Sequence, residues 1–197
     1  MTEGTTSATR LGPIHHAAYR CRDAEQTRWF YEDVLGLPAA AGLVIDVVPG
    51  TGADNPYMHL FFRLADGSFI AFFDAPGDAD PAWFDRKDSF DMHIAIEAKD
   101  LNDMLAMQAR IRAAGIKCAG PIDHDFVKSV YMYDPNGIQV EITVREPNHD
   151  EILAEEGRVF RETLADWTAR TREEKIRKFG AEALDRRASA PREGTGA

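Results

Sequence analysis

The feature of this 197-residue chain that most constrains its fold is an internal repeat. Residues 16–23 and 93–100 are alternating runs that each begin with histidine and end with aspartate seven residues later. A pattern with apolar residues mostly at spacings of three and four follows each run, over residues 24–35 and 101–114, and predicts two helices. A glycine follows each helical pattern where a helix C-cap is expected, and Asp23 or Asp100 lies near each helix start, where a carboxylate can cap free N–H groups. The two segments are therefore copies of one unit.

Each copy then continues into short apolar runs that predict β-hairpins. Asp66-Gly67 separates two runs in the first copy and Pro135-Asn136-Gly137 separates two in the second, and such turn sequences are strong hairpin signals. We therefore match His16 with His93 and Gly67 with Gly137. The strands predicted after each helix are 42–48, 57–64 and 68–73 in the first copy, and 117–122, 128–133 and 138–144 in the second.

The predicted fold class is α+β, with paired βαβββ modules forming one open barrel-like domain and a helical extension at the C-terminus. The modules are placed in one domain because neither can bury its sheet face alone. Polar, glycine-containing segments at both ends predict flexible tails. The predicted boundaries are 1–12 for the first tail, 13–75 for the first module, 76–89 for a linker, 90–144 for the second module, 145–187 for the helical extension and 188–197 for the second tail.

Composition argues against several classes of protein. The chain has 33 Asp and Glu against 23 Lys and Arg, a formal net charge of -10, which is unfavourable for binding nucleic acid or an anionic membrane. No apolar run approaches the roughly 18–20 residues that span a bilayer, and the first ten residues lack the apolar core of a secretory signal. Cys21 and Cys118 are too few for a disulfide framework and are expected to be free thiols in a reducing cytoplasm.

Strand alternation places the chemically active side chains on one face of each sheet. In the last strand Glu141 lies on the face opposite the apolar side chains, and in the strand at 91–97 His93 and Ala95 do the same. These faces point either to water, as in many two-layer proteins, or into a concave polar cup. The equivalent position of His16 in the repeat favours the cup. Two imidazoles and one carboxylate, from His16, His93 and Glu141, are suitable ligands for Fe(II), Zn, Mn or Ni.

Four segments of the sequence resemble the vicinal oxygen chelate superfamily. They are the two histidine-to-aspartate runs, the first helix Trp29-Phe30-Tyr31-Glu32-Asp33-Val34-Leu35-Gly36-Leu37, and the last strand with its turn, Asp134-Pro-Asn-Gly-Ile-Gln-Val-Glu141. The superfamily includes glyoxalase I, methylmalonyl-CoA epimerase, fosfomycin- and bleomycin-resistance proteins and type I extradiol ring-cleaving dioxygenases. The resemblance covers about residues 13–144. It implies an open barrel around one divalent metal, with the ligand positions at His16, His93 and Glu141.

The repeat also predicts how many protein ligands the metal has. Glu141 lies four residues after Gly137, and Ala71 lies four residues after Gly67. In glyoxalase I and the epimerase this strand supplies a fourth ligand, which alanine cannot. Two histidines and one carboxylate with open positions suit a non-haem Fe(II) oxygenase. Fosfomycin-resistance proteins also use three ligands, and a loop shift that misaligns the two glycines is the alternative.

Two further residues are candidates for proton transfer. Tyr131 lies across the predicted hairpin from Glu141 and resembles a tyrosine that orients the substrate hydroxyl in the ring-cleaving dioxygenases. His124 resembles their acid–base histidine, with a spacing that differs by two residues. The alternatives are a packed strand tyrosine and a solvated loop histidine. His15 is predicted to turn away from the cup, whereas Arg20, His59 and Arg63 are candidates to face it.

The extension carries a helical stripe of Phe160, Leu164 and Trp167, spaced four and three apart. A tryptophan on such a stripe needs a dry surface to pack against. Its own domain, a partner subunit and the open cup are the alternative surfaces. We expect a homodimer.

The resemblance implies a metal-dependent oxidoreductase similar to extradiol dioxygenases. It would use Fe(II), with Mn, Zn or Ni as alternatives, a small catecholic or vicinal-oxygen substrate and O2, with His124 or Tyr131 assisting proton movement. The alternatives are a lyase or isomerase of the glyoxalase or epimerase kind, and a non-enzymatic resistance protein that binds a drug or metabolite.

Overall fold

The computed structural model describes residues 11–86 and 91–186. The predicted tails lie outside the described residues except for Leu11 and Gly12, and so does the end of the predicted linker. The chain divides into two compact units, the first comprising the residues up to Ile122 with Lys128–Val144, and the second Asp123–Val127 with the residues from Arg145 onward. No helix among the described residues is long and apolar enough to cross a membrane.

Two βαβββ modules form the first unit, which confirms the predicted α+β class. The helices and strands lie within one to three residues of the predicted bounds, because the turn glycines and helix caps that mark them are visible in the sequence. The first module contains β1 (His16–Cys21), α1 (Ala24–Arg28), a π-helix (Trp29–Val34), β2 (Ala39–Val47), β3 (Asp54–Arg63) and β4 (Phe69–Asp74); the second contains β5 (His93–Glu97), α2 (Leu101–Ala113), β6 (Ala119–Asp123), β7 (Val127–Tyr133) and β8 (Gln139–Arg145).

Each module forms a four-stranded mixed sheet with the same topology. The strand orders are β1-β4-β3-β2 and β5-β8-β7-β6, and the first strand of each module runs parallel to the last. Ala18 pairs with Ala71 in the first sheet, and Ala95 pairs with Glu141 in the second. Ala71 therefore occupies the register position of Glu141, as the repeat predicts.

The helix starts confirm the caps expected from the sequence. Asp23 accepts a hydrogen bond from the Gln26 N–H at 2.7 Å, and Asp100 accepts one from the Asp103 N–H at 2.9 Å. The first helix differs from the predicted continuous α-helix, because it continues as the π-helix. The Leu35 N–H reaches the Phe30 carbonyl, five residues back, at 2.9 Å.

One apolar core contains side chains from both modules. Tyr31 stacks on Phe62 with ring centroids 5.3 Å apart and contacts Phe72 at 4.8 Å. Because strand residues alternate, these core faces lie opposite the faces that carry His16 and His93. The second module contributes fully buried side chains from its helix and its sheet, namely Met104, Ile111, Val130, Met132 and Val140.

A buried polar turn of the second module forms hydrogen bonds with the first module. The Asp134 carboxylate accepts hydrogen bonds from the backbone N–H groups of Asn136 and Ile138, both at 2.8 Å, and from the Tyr31 hydroxyl at 3.1 Å. The Asn136 amide donates to the Thr27 hydroxyl at 3.2 Å. Burial raises the pKa of Asp134, and these hydrogen bonds oppose that shift.

The linker between the modules packs on the same turn. It forms two short 3₁₀ helices, Pro76–Asp78 and Pro81–Phe84. At Gly137, where φ is +76°, a Cβ would lie 2.5 Å from the Asp85 carbonyl oxygen, so only glycine permits this approach. A Cβ added at the matched Gly67 would have no described atom within 4 Å.

The second unit consists mainly of helix. The predicted C-terminal helix is present as α3 (His149–Phe179), followed by α4 (Ala181–Asp185). The Phe126 carbonyl accepts a hydrogen bond from the Glu146 N–H at 3.0 Å, and the Phe126 ring lies 5.9 Å from that of His149. These contacts hold the segment at Asp123–Val127 against the start of α3.

The Asp134 turn predicts a specific loss of stability. Asp134→Ala leaves several buried donors without an acceptor, so the free energy of unfolding should fall by about 2–3 kcal/mol in urea titrations. Asp66→Ala is the matched control, because Asp66 also accepts hydrogen bonds within a hairpin turn but is exposed. If the urea midpoint of Asp134→Ala equals that of Asp66→Ala, the buried turn does not stabilise the contact between the modules.

Candidate metal centre

The polar face of the second sheet is built by strict alternation along β5. His93, Ala95 and Glu97 are exposed, while Ile94 and Ile96 pack against the core. This pattern confirms the face that the sequence predicts for His93.

His93 and Glu141 meet on that face. His93 Nε2 lies 2.9 Å from Glu141 Oε2, and the Glu141 side chain is only 7% exposed against 32% for His93. A carboxylate buried to this extent requires a donor or a cation beside it. Ala95, the register partner of Glu141, keeps the neighbouring position small. The result is a nitrogen atom and an oxygen atom, both of them possible metal ligands, within hydrogen-bond distance of each other.

Tyr131 completes this side of the site. Its ring centroid lies 6.4 Å from that of His93 in an edge-on arrangement. Burial raises the pKa of Tyr131; a hydrogen bond with Ser129 opposes this shift, whereas the charge of Glu141 and a hydrogen bond to it add to it. The phenol therefore stays neutral at physiological pH and can donate a hydrogen bond to the carboxylate. Tyr131 shares the face of Glu141, as the hairpin register predicts.

His16 lies on the corresponding face of the first sheet. It is exposed at the start of β1, where it pairs with Phe69. The prediction that His15 turns away is wrong, because β1 begins only at His16 and alternation does not govern the residue before it. Nδ1 of His15 lies 2.8 Å from Nδ1 of His16. The two imidazoles thus form a pair in which one donates and the other accepts.

Aromatic rings surround His16. His59 stacks on Phe73 at 3.8 Å between centroids with the planes 3° apart, and its centroid lies 6.1 Å from that of His16. His59 Nδ1 lies 3.0 Å from the Phe72 carbonyl oxygen, which only accepts, so Nδ1 carries the proton. Phe61 contacts His16 at 5.7 Å. His59 therefore lies on the face of His16, within an aromatic wall.

Arg20 links the face of His16 to the neighbourhood of His93. It forms an ion pair with Asp78 and donates to the Ala75 carbonyl at 2.6 Å, and its guanidinium lies 5.5 Å from the Trp83 ring centroid. A cavity of about 200 Å³ is lined by side chains that include Arg20, Trp83 and His93. Trp83 was not predicted from the sequence, although an indole in a linker rich in Asp and Pro is a visible signal.

The predicted ligands do not all meet within one chain. Residues 11–86 and 91–186 contain no group of three His, Cys, Asp or Glu side chains that could hold a metal ion. His93 and Glu141 are together, and His16 does not complete a group with them. The donor chemistry of the pair suits a divalent transition metal, so the pair fits two positions of the predicted ligand set.

The two remaining histidines lie in the second unit. The His124 N–H donates to the Val127 carbonyl at 2.9 Å, in the turn between β6 and β7. Nδ1 of His149 lies 2.7 Å from the Asp150 carboxylate at the start of α3. The acid–base role of His124 stays a prediction.

Comparison with known proteins gives one family and a set of related folds. A model of the Glyoxalase/Bleomycin resistance protein/Dioxygenase superfamily matches residues 13–142. A glyoxalase/dioxygenase from Nostoc punctiforme has 26% identity and a TM-score of 0.52, with 70% of this chain and 97% of that chain covered. The comparison with curated proteins found no match.

Two other solved structures are similar in fold. A glyoxylase/bleomycin resistance protein/dioxygenase domain from Frankia sp. EAN1pec has 16% identity and a TM-score of 0.55, covering 70% of this chain and 100% of that chain. The fosfomycin resistance protein FosX from Listeria monocytogenes has 18% identity and a TM-score of 0.51, covering 71% and 98%. The family match ends before α3, so the C-terminal helix is an addition to the shared fold.

The contact between His93 and Glu141 leads to a prediction about metal content. His93→Ala removes the nitrogen donor of the pair, so metal retained after reconstitution and desalting should fall from about one ion per chain to background. His149→Ala is the control, since His149 lies in the second unit. Metal analysis and circular dichroism on both variants check the result; unchanged metal content in a folded His93→Ala protein contradicts the assignment.

Proposed function

The chain belongs to the Glyoxalase/Bleomycin resistance protein/Dioxygenase superfamily, and on that basis we propose that it is a metal-dependent oxidoreductase resembling extradiol ring-cleaving dioxygenases. The proposed substrate is a small catecholic or other vicinal-oxygen compound, with O2 as the second substrate. The observation that carries the proposal is the contact between His93 Nε2 and Glu141 Oε2 on the polar face of the second sheet.

The proposed metal ligands are His16, His93 and Glu141. When bound, a divalent metal supplies Lewis acidity toward two neighbouring substrate oxygens and, in the case of Fe(II), electrons for O2. The Listeria FosX, which this chain resembles in fold, has been solved with Mn(II) and sulfate. We propose Fe(II) here because Ala71, at the register position of Glu141, adds no fourth protein donor.

We further propose that the ligand set is assembled from two copies of the chain. His16 would come from one protomer, and His93 and Glu141 from its partner. The support is that all three side chains lie on the faces opposite the common core, and yet the described residues of one chain contain no metal-holding group of three. A two-fold dimer would form two such centres.

The chain's own residues would bind and orient the substrate. Tyr131, with its O–H directed to Glu141, would accept a hydrogen bond from a substrate hydroxyl through the phenol oxygen and so orient that hydroxyl. The aromatic wall of His59, Phe61 and Phe73 offers flat faces for a planar ring. Arg20 lies near this face in an ion pair with Asp78, so a substrate phenolate or carboxylate would bind it only by sharing the guanidinium with Asp78.

The direct test is oxygen consumption. The protein would be reconstituted anaerobically with Fe(II), Mn(II) or Zn(II) and assayed with a panel of catechols in an oxygen electrode. We expect O2 uptake with at least one catechol and the Fe(II) form. Turnover of hemithioacetals or acyl-CoA epimers without O2 would instead identify a lyase or isomerase.

A shared centre predicts complementation between two defective variants. His16→Ala and His93→Ala should each lack metal alone. In an equimolar mixture that has exchanged subunits, half of the dimers are mixed and each carries one intact centre, so metal content and activity should recover to about one quarter of wild type. Mixing His93→Ala with Glu141→Ala is the control, because both changes affect the same half of the centre. No recovery in the first mixture contradicts a shared centre.

The position of Ala71 predicts a change in ligand number. Ala71→Glu would place a carboxylate beside His16 as Glu141 lies beside His93, so it should tighten metal binding and suppress O2 consumption. Ala71→Gln is the matched control, because it has similar volume without the charge. Metal affinity measured by competition with a chelator distinguishes them. If both variants bind metal as the wild type does, the three-ligand interpretation fails.

A further inference from the structure

The helix α3 carries an apolar face that the structure leaves exposed. None of its 31 residues, all of them described, is buried. Leu153, Phe160, Leu164 and Trp167 are each between 44% and 54% exposed. Large apolar side chains aligned on one face mark an interaction surface.

The spacing of that face is typical of a coiled coil. Apolar or small residues recur at alternating intervals of four and three, which is the a/d pattern of a heptad. In a coiled coil, such a pattern keeps one line of side chains, here called the seam, facing the other helix, and on α3 it extends over almost three heptads. The seam positions are Leu153, Gly157, Phe160, Leu164, Trp167 and Thr171.

Charge is distributed unevenly along the same helix. Residues 149–166 contain six acidic and two basic side chains, whereas residues 167–179 contain five basic and two acidic ones. Favourable interaction with the helix dipole accounts for charges in the first and last turns only. Glu156 and Arg170 lie outside the first and last turns, so the dipole does not account for their charges and the division into an acidic and a basic half needs another explanation.

We propose that α3 pairs with α3 of a second copy of this chain in antiparallel orientation. This orientation places the acidic half of each helix against the basic half of the other. With the two helices centred near residue 162, Glu156 of one copy flanks the seam close to Arg170 of the other, at positions that set the orientation of paired helices.

Side-chain size supports the same alignment. Centring at residue 162 puts Phe160 opposite Leu164 and Gly157 opposite Trp167. A Cβ added at Gly157 would meet nothing within 4 Å, so the backbone there is open to an indole from the partner. Parallel pairing would instead place Trp167 against Trp167, leave a gap at Gly157 and juxtapose like charges.

The pairing of α3 would add a contact to the proposed dimer, but the observations that support it concern α3 only. Its surface lies outside the residues matched by the family model, and its argument uses none of the proposed metal ligands. Metal content, measured on the same samples, therefore separates failure of the helix pairing from failure of the metal centre.

Cysteine cross-linking tests the orientation in the full-length protein. Phe160→Cys and Leu164→Cys are made as separate proteins, mixed and oxidised; Cys21 and Cys118 are buried and do not interfere. We expect a cross-linked dimer from the mixture and little from either variant alone. Strong cross-linking of each variant to itself would show parallel pairing, and no cross-link in any sample would overturn the proposal.

Charge reversal gives an independent test. Glu156→Arg and Arg170→Glu should each weaken the dimer by at least about tenfold in sedimentation experiments, while an equimolar mixture of the two should restore it. Asp166→Arg is the control, because it makes the same charge change as Glu156→Arg on the opposite side of the helix. If the dimer dissociation constants of Glu156→Arg and Arg170→Glu equal that of Asp166→Arg, the proposal is overturned. Altered metal content or KM without a change in mass would indicate that α3 covers its own chain.

Discussion

The buried turn at Asp134 and Asn136 is the interaction on which the arrangement of the two modules depends. Its carboxylate binds backbone groups of its own hairpin and the Tyr31 hydroxyl, and the Asn136 side chain binds Thr27 and the Arg22 N–H. A carboxylate so deeply buried is tolerated only where donors surround it. The hairpin of the second module therefore has one favourable position against the helix of the first.

That position determines what each sheet presents outward. Because the apolar faces join in one core, strand alternation forces His16, His93 and Glu141 onto the opposite faces. The register of β5 against β8 brings His93 and Glu141 together within the second sheet, and His16, on the first sheet, forms no metal-holding group of three with them. In the proposed dimer a second copy would complete the set of three, and the proposed pairing of α3 would hold that copy.

Local sequence patterns predicted most of this structure, whereas features that depend on long-range packing were predicted less well. The helix caps at Asp23 and Asp100 and the equivalence of Ala71 with Glu141 depend on residues close in sequence or related by the repeat, so they were visible. The π-helix was not, because five-residue hydrogen bonding over residues 29–34 leaves no distinct apolar period. The place of His15 depends on where β1 begins, and the separation of His16 from its predicted partners depends on contacts between modules.

The two modules share one strand topology but differ in the side chains on their polar faces. Both begin with histidine, but the face around His16 is lined by Phe61, Phe69 and Phe73, whereas the other holds the Glu141 carboxylate and the Tyr131 phenol. Stacked rings provide a flat, uncharged surface, whereas the Glu141 carboxylate provides a negative charge in a buried position. A pocket formed between two unlike faces can bind a flat ligand on one side and act on its oxygens from the other. Two identical faces, with a carboxylate on each, would surround a metal with four protein donors and leave less room for a substrate.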